Sequence, residues 1–144
     1  MTAFLRAWSQ YQFELFVAAL CMFVGLPLAL GVAPAPTSIA ATLPDWTLFF
    51  WGASLSLGGA CTVTGILWRA YNRLQFVAGL LVEKAGMHLL GASSVVLALA
   101  IGVYAGDIGI LTSGIFGALF CACVSRIRTI NKEVAVVREH GEGQ

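Results

Sequence analysis

Long apolar stretches alternate with short polar ones along the chain. Four stretches of hydrophobic residues lie at 15–32, 46–68, 85–104 and 108–124. Each has about 17 to 23 residues, and a helix rising about 1.5 Å per residue over that length crosses a hydrocarbon core of about 30 Å. Backbone polar groups in lipid must bond within their own segment, which excludes open strands, and a barrel would show short alternating segments instead. The pattern therefore predicts an all-α membrane protein, a four-transmembrane-helix bundle of two helical hairpins.

Composition agrees with a membrane environment. The 144 residues are 59% hydrophobic and 10% charged, whereas about a quarter of the residues in soluble domains are charged. The net charge of +1 provides no general attraction to nucleic acid. We therefore expect the lipid bilayer as a partner of the whole chain, which forms a single integral membrane domain, and we expect no nucleic acid.

The basic residues indicate the topology. All eight lie before the first span, between the second and third spans, or after the fourth, while the opposite loops carry Asp45 and Asp107. The positive-inside rule then places both termini in the cytoplasm of a bacterial cell, with the protein in the inner membrane. The predicted inner-leaflet anchors are Arg69, Arg73, Arg126, Arg128 and Lys132.

A cleaved signal peptide is an alternative interpretation of the first span. Arg6 precedes the apolar run, and small residues follow it at 33–41. Against this interpretation, the run is longer than a usual h-region, and Glu14 lies where the n-region of a signal peptide rarely has an acidic residue. Pro36 also follows the best cleavage motif.

Beyond the fourth span, residues 125–140 have an amphipathic pattern. Ile127, Ile130, Val134 and Val137 recur at helical spacing, with charged residues mostly elsewhere around the helix. This pattern predicts a short cytoplasmic C-terminal helix that extends the fourth span. It could pair with a second copy, lie on the inner leaflet, or be a solvated stop-transfer tail.

Small residues recur every fourth position within the spans. Such ladders let helices approach closely in lipid, where burial of apolar surface does not drive association. Either all the ladders pack inside one bundle, or at least one faces a second copy in a homo-oligomer. The two longest are Ser94, Ala98, Gly102 and Gly106 in the third span, and Gly109, Ser113, Gly117, Cys121 and Ser125 in the fourth. Shorter ladders are Cys21, Gly25 and Ala29, and Gly52, Ser56 and Gly59.

Candidate chemistry is sparse. Glu14 shares a helical face with small residues and could couple protons or cations, but its position at the start of the first span also suits pairing with Arg69 or Arg73. Glu83, Lys84 and His88 mark the cytoplasmic start of the third helix, where polar anchoring is the simplest role. The common phosphate-loop, metalloprotease and esterase motifs are absent. We therefore predict no enzyme activity and no catalytic, cofactor or metal site.

The pattern over most of the chain resembles a known class of protein. The segments "WTLFFWGASLSLGGACTVTGILWR" and "GLLVEKAGMHLLGASSVVLALAIGVYAG", with a Pro-rich outer loop and a basic tail, resemble small four-span membrane proteins of actinobacterial phages and prophages, some of which are holin-like. The resemblance implies self-association and permeabilisation of the membrane, and it carries no active site. Two other hypotheses remain: a small ion-coupled transporter or channel that works as a dimer with Glu14 as its coupling group, and a superinfection-exclusion protein or accessory subunit that binds other membrane proteins.

Overall fold

In the computed structural model the chain forms four long α-helices, and the predicted all-α fold with four candidate membrane spans is confirmed. The structure describes residues 3–32, 44–71, 75–104 and 106–141, without the side chains at 3–10, 45, 103–104, 106–109, 111 and 138–141. The helices are α1 (Ala3–Ala29), α2 (Asp45–Tyr71), α3 (Phe76–Tyr104) and α4 (Gly106–Gly141).

Three helices extend well beyond the predicted spans. α1 begins at Ala3, whereas the predicted first span begins at residue 15. α3 begins at Phe76, well before the predicted span 85–104, and therefore includes Glu83 and Lys84. α4 runs without a break from the fourth span through the predicted tail, and its 36 residues give a length of about 54 Å. Ile130 in this extension is fully buried, so the tail packs against the rest of the chain.

α1 has a kink near its start and a defined end. Tyr11 has non-helical backbone angles (φ −128°, ψ 28°), which separate residues 3–10 from the longer part of the helix. At the other end Gly31 adopts φ +65°, its N–H donates to the carbonyl of Leu28, and Val32 donates to Pro27. This pair of bonds is a Schellman motif, which requires a residue that tolerates positive φ.

Each helix packs mainly against its neighbour in the sequence. α1 and α2 cross at glycines: a Cβ atom at Gly25 would lie 2.6 Å from the carbonyl oxygen of Gly52, and one at Gly59 would meet the carbonyl oxygen of Ala18. α2 and α3 cross in the same way. A Cβ atom at Gly65 would lie against the backbone nitrogen of Glu83, and one at Gly86 would lie 2.6 Å from the backbone nitrogen of Thr62. The backbones therefore touch, as small residues permit in lipid.

Hydrogen bonds add to this packing. The Ser54 and Ser93 hydroxyls lie 2.7 Å apart and join α2 to α3. Ser113 Oγ donates to the carbonyl oxygen of Ala98 at 2.8 Å and joins α4 to α3. The main apolar core lies where α2, α3 and α4 meet. There Leu55, Met87, Leu90 and Cys123 are buried together.

α1 and α4 leave a groove between them. It has a volume of about 520 Å³, and α2 forms its floor through Trp51 and Leu55. Among the residues that the structure describes, none that lines this groove is charged. The charged side chains that the structure describes instead gather at the end of the bundle where α2 ends and α3 begins, called here the charged end.

Candidate functional site

Glu83 lies at the centre of an ion-pair cluster at the charged end. Its side chain is fully buried, and its Oε1 accepts a hydrogen bond from Arg126 Nε at 2.7 Å. Its Oε2 lies 2.9 Å from Arg69 Nη2. The Arg69 side chain is also buried, with 3% of it exposed. One buried carboxylate from α3 therefore pairs with a guanidinium from α2 and with another from α4.

A second carboxylate balances the charge. Glu133, seven residues beyond Arg126 on α4, accepts a hydrogen bond from Arg69 Nη1 at 3.3 Å. Its other oxygen lies 3.7 Å from Arg126 Nη1. Two acidic and two basic side chains therefore share one site. The Glu133 side chain is 32% exposed, so the cluster reaches the protein surface on that side. On the other side Glu83 is fully buried.

An aromatic ring from α1 completes the site. The guanidinium carbon of Arg69 lies 4.2 Å from the centre of the Tyr11 ring, and that of Arg126 lies 5.1 Å from it. Both are within the range of cation–π attraction. The helix kink occurs at Tyr11 itself. The ion cluster, defined as Tyr11, Arg69, Glu83, Arg126 and Glu133, thus takes residues from all four helices.

Glycines bring these charges together. Gly79 and Gly86 lie four residues before and three residues after Glu83, on the same face of α3, and Gly65 lies four residues before Arg69 on α2. A Cβ atom at Gly79 would lie 3.0 Å from the backbone nitrogen of Arg69. Close approach of α2 and α3 therefore places Glu83 beside Arg69 without a gap that lipid or water would fill.

Glu14 borders the cluster. It is half-buried and lines a cavity of about 80 Å³ together with Arg126. Arg126 Nη2 and Arg69 Nε are buried and have no hydrogen-bond partner in the described protein. A cavity of this size has room for about two waters. The arrangement can lock four helices together. The cavity itself is lined mostly by apolar side chains, and Glu14 and Arg126 are the charged residues that reach it.

The predicted anchor residues have different environments. The placement of Arg69 and Arg126 at the inner leaflet stays a prediction; in the structure their side chains pair with Glu83 inside the bundle. Arg128 and Lys132 are exposed on α4, in keeping with an outward position. Arg73 lies outside the described residues.

The ladder of α3 is mostly internal. Ser94 is buried and donates to Leu90 in its own helix, Ala98 accepts the bond from Ser113, and a Cβ atom at Gly102 would lie 3.3 Å from Ser113 Oγ. The surroundings of Gly106 and Gly109 lie outside the described side chains.

The ladder of α4 divides into two parts. Ser113 packs against α3, but a Cβ atom at Gly117 would meet nothing within 4 Å, and Cys121 and Ser125 are exposed. Gly114, beside this ladder, is equally open. Gly114, Gly117, Cys121 and Ser125 form what is called here the small outer face of α4, and it has no partner within the described chain.

The sequence pattern predicts Glu83 at the cytoplasmic start of the third helix and predicts no role for Glu133. The available signal was the glycine spacing around Glu83, since two glycines on the face of a carboxylate indicate that this face meets another helix. The described residues contain no cluster of three metal-ligating side chains, and their four cysteines are free thiols.

Comparison of the chain with protein-family models, curated proteins and solved structures finds no match.

Proposed function

We propose that the chain is a non-enzymatic, multi-pass protein of the bacterial cytoplasmic membrane that associates laterally with copies of itself and so permeabilises or depolarises the membrane, as the holin-like resemblance implies. The small outer face of α4 carries this proposal. Gly25, Gly52 and Gly65 each contact a neighbouring helix, whereas Gly114 and Gly117 face open space. A small residue makes few packing contacts when its helix faces only lipid. Between two helices, the same residue lets the backbones approach closely.

The ion cluster supports the proposal indirectly. It fixes α4 to α2 and α3 at the charged end, so the outer face is presented by a helix held in place. The two acids and two bases of the cluster pair with one another.

Inducible expression in bacteria with a membrane-potential dye tests this function. We expect the wild-type chain to cause rapid dye loss and Gly117→Leu to delay or abolish it, because a leucine there keeps two α4 helices apart. A Cβ atom at Gly117 meets nothing within 4 Å, so we expect the variant to fold normally. Ala19→Leu is the matched control, since Ala19 is an exposed small residue on α1. Intact membrane potential with wild-type protein would refute the function and favour an accessory or exclusion role.

The orientation belongs to the same proposal. The eight basic residues fall on one side of the predicted topology, which favours cytoplasmic termini. A reporter active only in the cytoplasm, fused after residue 144, is expected to be active, and a reporter active only outside the membrane is expected to be silent. The reverse pattern would overturn the orientation.

Ion-coupled transport by a dimer is the second candidate, and the cavity shared by Glu14 and Arg126 favours it. Glu14→Gln separates the two functions. Loss of a proton or cation flux in liposomes, with the oligomer retained, supports transport. Depolarisation equal to that of the wild type assigns Glu14 a packing role.

A further inference from the structure

A second groove lies between α3 and α4, on the surface of the bundle. It has a volume of about 320 Å³. One part of its lining is apolar and consists of Gly91 and Ala92 from α3 and Phe120 and Val124 from α4. A Cβ atom at Gly91 would lie 3.5 Å from Cys123 and 3.6 Å from Phe120, so the glycine keeps the floor of the groove open.

The groove becomes basic toward the charged end. His88 and Arg128 line it there and are both exposed. Lys84 precedes His88 by one helical turn, and Lys132 follows Arg128 by one turn, so both lie on the same faces farther toward the charged end. No acidic residue is present among the described residues that line the groove. The acids of this region, Glu83 and Glu133, are occupied by Arg69 and Arg126 in the ion cluster.

We propose that this groove binds one anionic phospholipid, with its phosphate at Arg128 and His88 and an acyl chain along Gly91 and Ala92. Charge complementarity carries the assignment, since a basic pocket between membrane helices at the interface is the kind of site that anionic headgroups occupy. The larger groove between α1 and α4 is the contrast within the same chain: among the described residues, its lining includes no charged side chain to select a headgroup. The proposal depends on membrane insertion and is independent of pore formation.

Native mass spectrometry of the purified full chain in a non-ionic detergent tests the site. We titrate it with phosphatidylglycerol and, separately, with phosphatidylcholine carrying the same acyl chains. Phosphatidylglycerol is expected to be retained at least about fivefold more tightly, because one basic side chain near a membrane surface contributes about that much to binding of an anionic lipid. Equal retention of the two lipids would overturn the proposal.

Two pairs of variants separate headgroup and groove. Arg128→Gln should weaken phosphatidylglycerol binding about fivefold, whereas Arg138→Gln, ten residues farther along the same helix, should leave it unchanged. Ala92→Phe fills the α3–α4 groove and should reduce binding, whereas Ala122→Phe places the same side chain in the α1–α4 groove and should not. Equal effects within either pair would contradict the assignment.

Glycerol 3-phosphate distinguishes a lipid from a free phosphate. It has a phosphate headgroup without acyl chains, so it should not displace phosphatidylglycerol at equal concentration. Displacement by glycerol 3-phosphate would show that the apolar groove contributes nothing and would reject the lipid assignment.

Discussion

Removal of the Glu83 charge is the most informative perturbation of the ion cluster. Glu83→Gln keeps the shape of the side chain but leaves two buried guanidiniums with Glu133 as their remaining partner. The structure gives Glu83 a hydrogen bond of 2.7 Å to Arg126 and an ion pair of 2.9 Å to Arg69. Hydrogen bonds to charged groups contribute about 1.5 to 3 kcal/mol each, and a broken buried pair costs about 3 to 5 kcal/mol. We expect Glu83→Gln to lower the free energy of unfolding by about 3 to 5 kcal/mol.

Equilibrium unfolding in mixed micelles, followed by circular dichroism as denaturing detergent is added, measures this loss. Glu133→Gln is the matched control, because the same chemical change at a side chain that is 32% exposed should cost about 1 kcal/mol or less. The double variant Glu83→Gln with Arg126→Gln should cost less than the sum of the two single changes, by about 2 kcal/mol. Unchanged stability of Glu83→Gln, or a larger loss in Glu133→Gln, would refute the reasoning.

Three further changes test other contacts. Tyr11→Leu removes the ring beside both guanidiniums and should lower the free energy of unfolding by about 1 to 2 kcal/mol, whereas Tyr11→Phe should retain most of it, as the same unfolding assay can check. Gly65→Ala should prevent the close crossing of α2 and α3 and lower the unfolding midpoint strongly. Gly114→Ala, in open space, should leave the midpoint unchanged. Equal shifts in the two variants would contradict the crossing of α2 and α3 at glycines. Ser93→Ala removes the hydrogen bond to Ser54 and should cost about 0.6 kcal/mol, and a loss several times larger would mean that this hydroxyl does more than join two helices.

The membrane fold could be predicted because its cause is local. Each span is a long run of apolar residues, and only a helix satisfies its backbone polar groups in lipid. The boundary of α3 was harder to predict. Glu83 and Lys84 interrupt the hydropathy pattern, and a rule based on apolar length ends a span at such residues. Glu83 nevertheless lies within α3, because its charge is paired with Arg69 and Arg126.

The ion cluster could not be predicted for a different reason. Arg69, Glu83 and Arg126 are distant in the sequence, and their contacts depend on which faces of three helices meet. Net charge and the positive-inside rule count basic residues without regard to partners, so they assign Arg69 and Arg128 the same role. The structure separates them, because Arg69 meets a carboxylate and Arg128 does not lie among acids.

The small-residue ladders include positions that contact another helix of the chain and positions that do not. Spacing alone identified Gly25, Gly52 and Gly102 as packing positions, and each meets a neighbouring helix. The same spacing included Gly117 and Cys121, which face away from the bundle. The sequence therefore predicts that a face is suited to contact, whereas only the fold distinguishes a face already used from one still available.

Oxidative cross-linking at Cys121 in bacterial membranes tests lateral association most directly. Cys121 is exposed on the small outer face of α4, and the other cysteines of the chain, Cys21, Cys61 and Cys123, can be replaced by alanine. A disulfide requires the two Cα atoms to approach to about 4.4 to 6.8 Å. We predict a covalent dimer through Cys121. As a control, Leu99→Cys is placed in a chain whose native cysteines are all replaced, and this exposed position on α3 should give no dimer. A chain that stays monomeric through Cys121, or that cross-links equally through Leu99→Cys, would contradict the account.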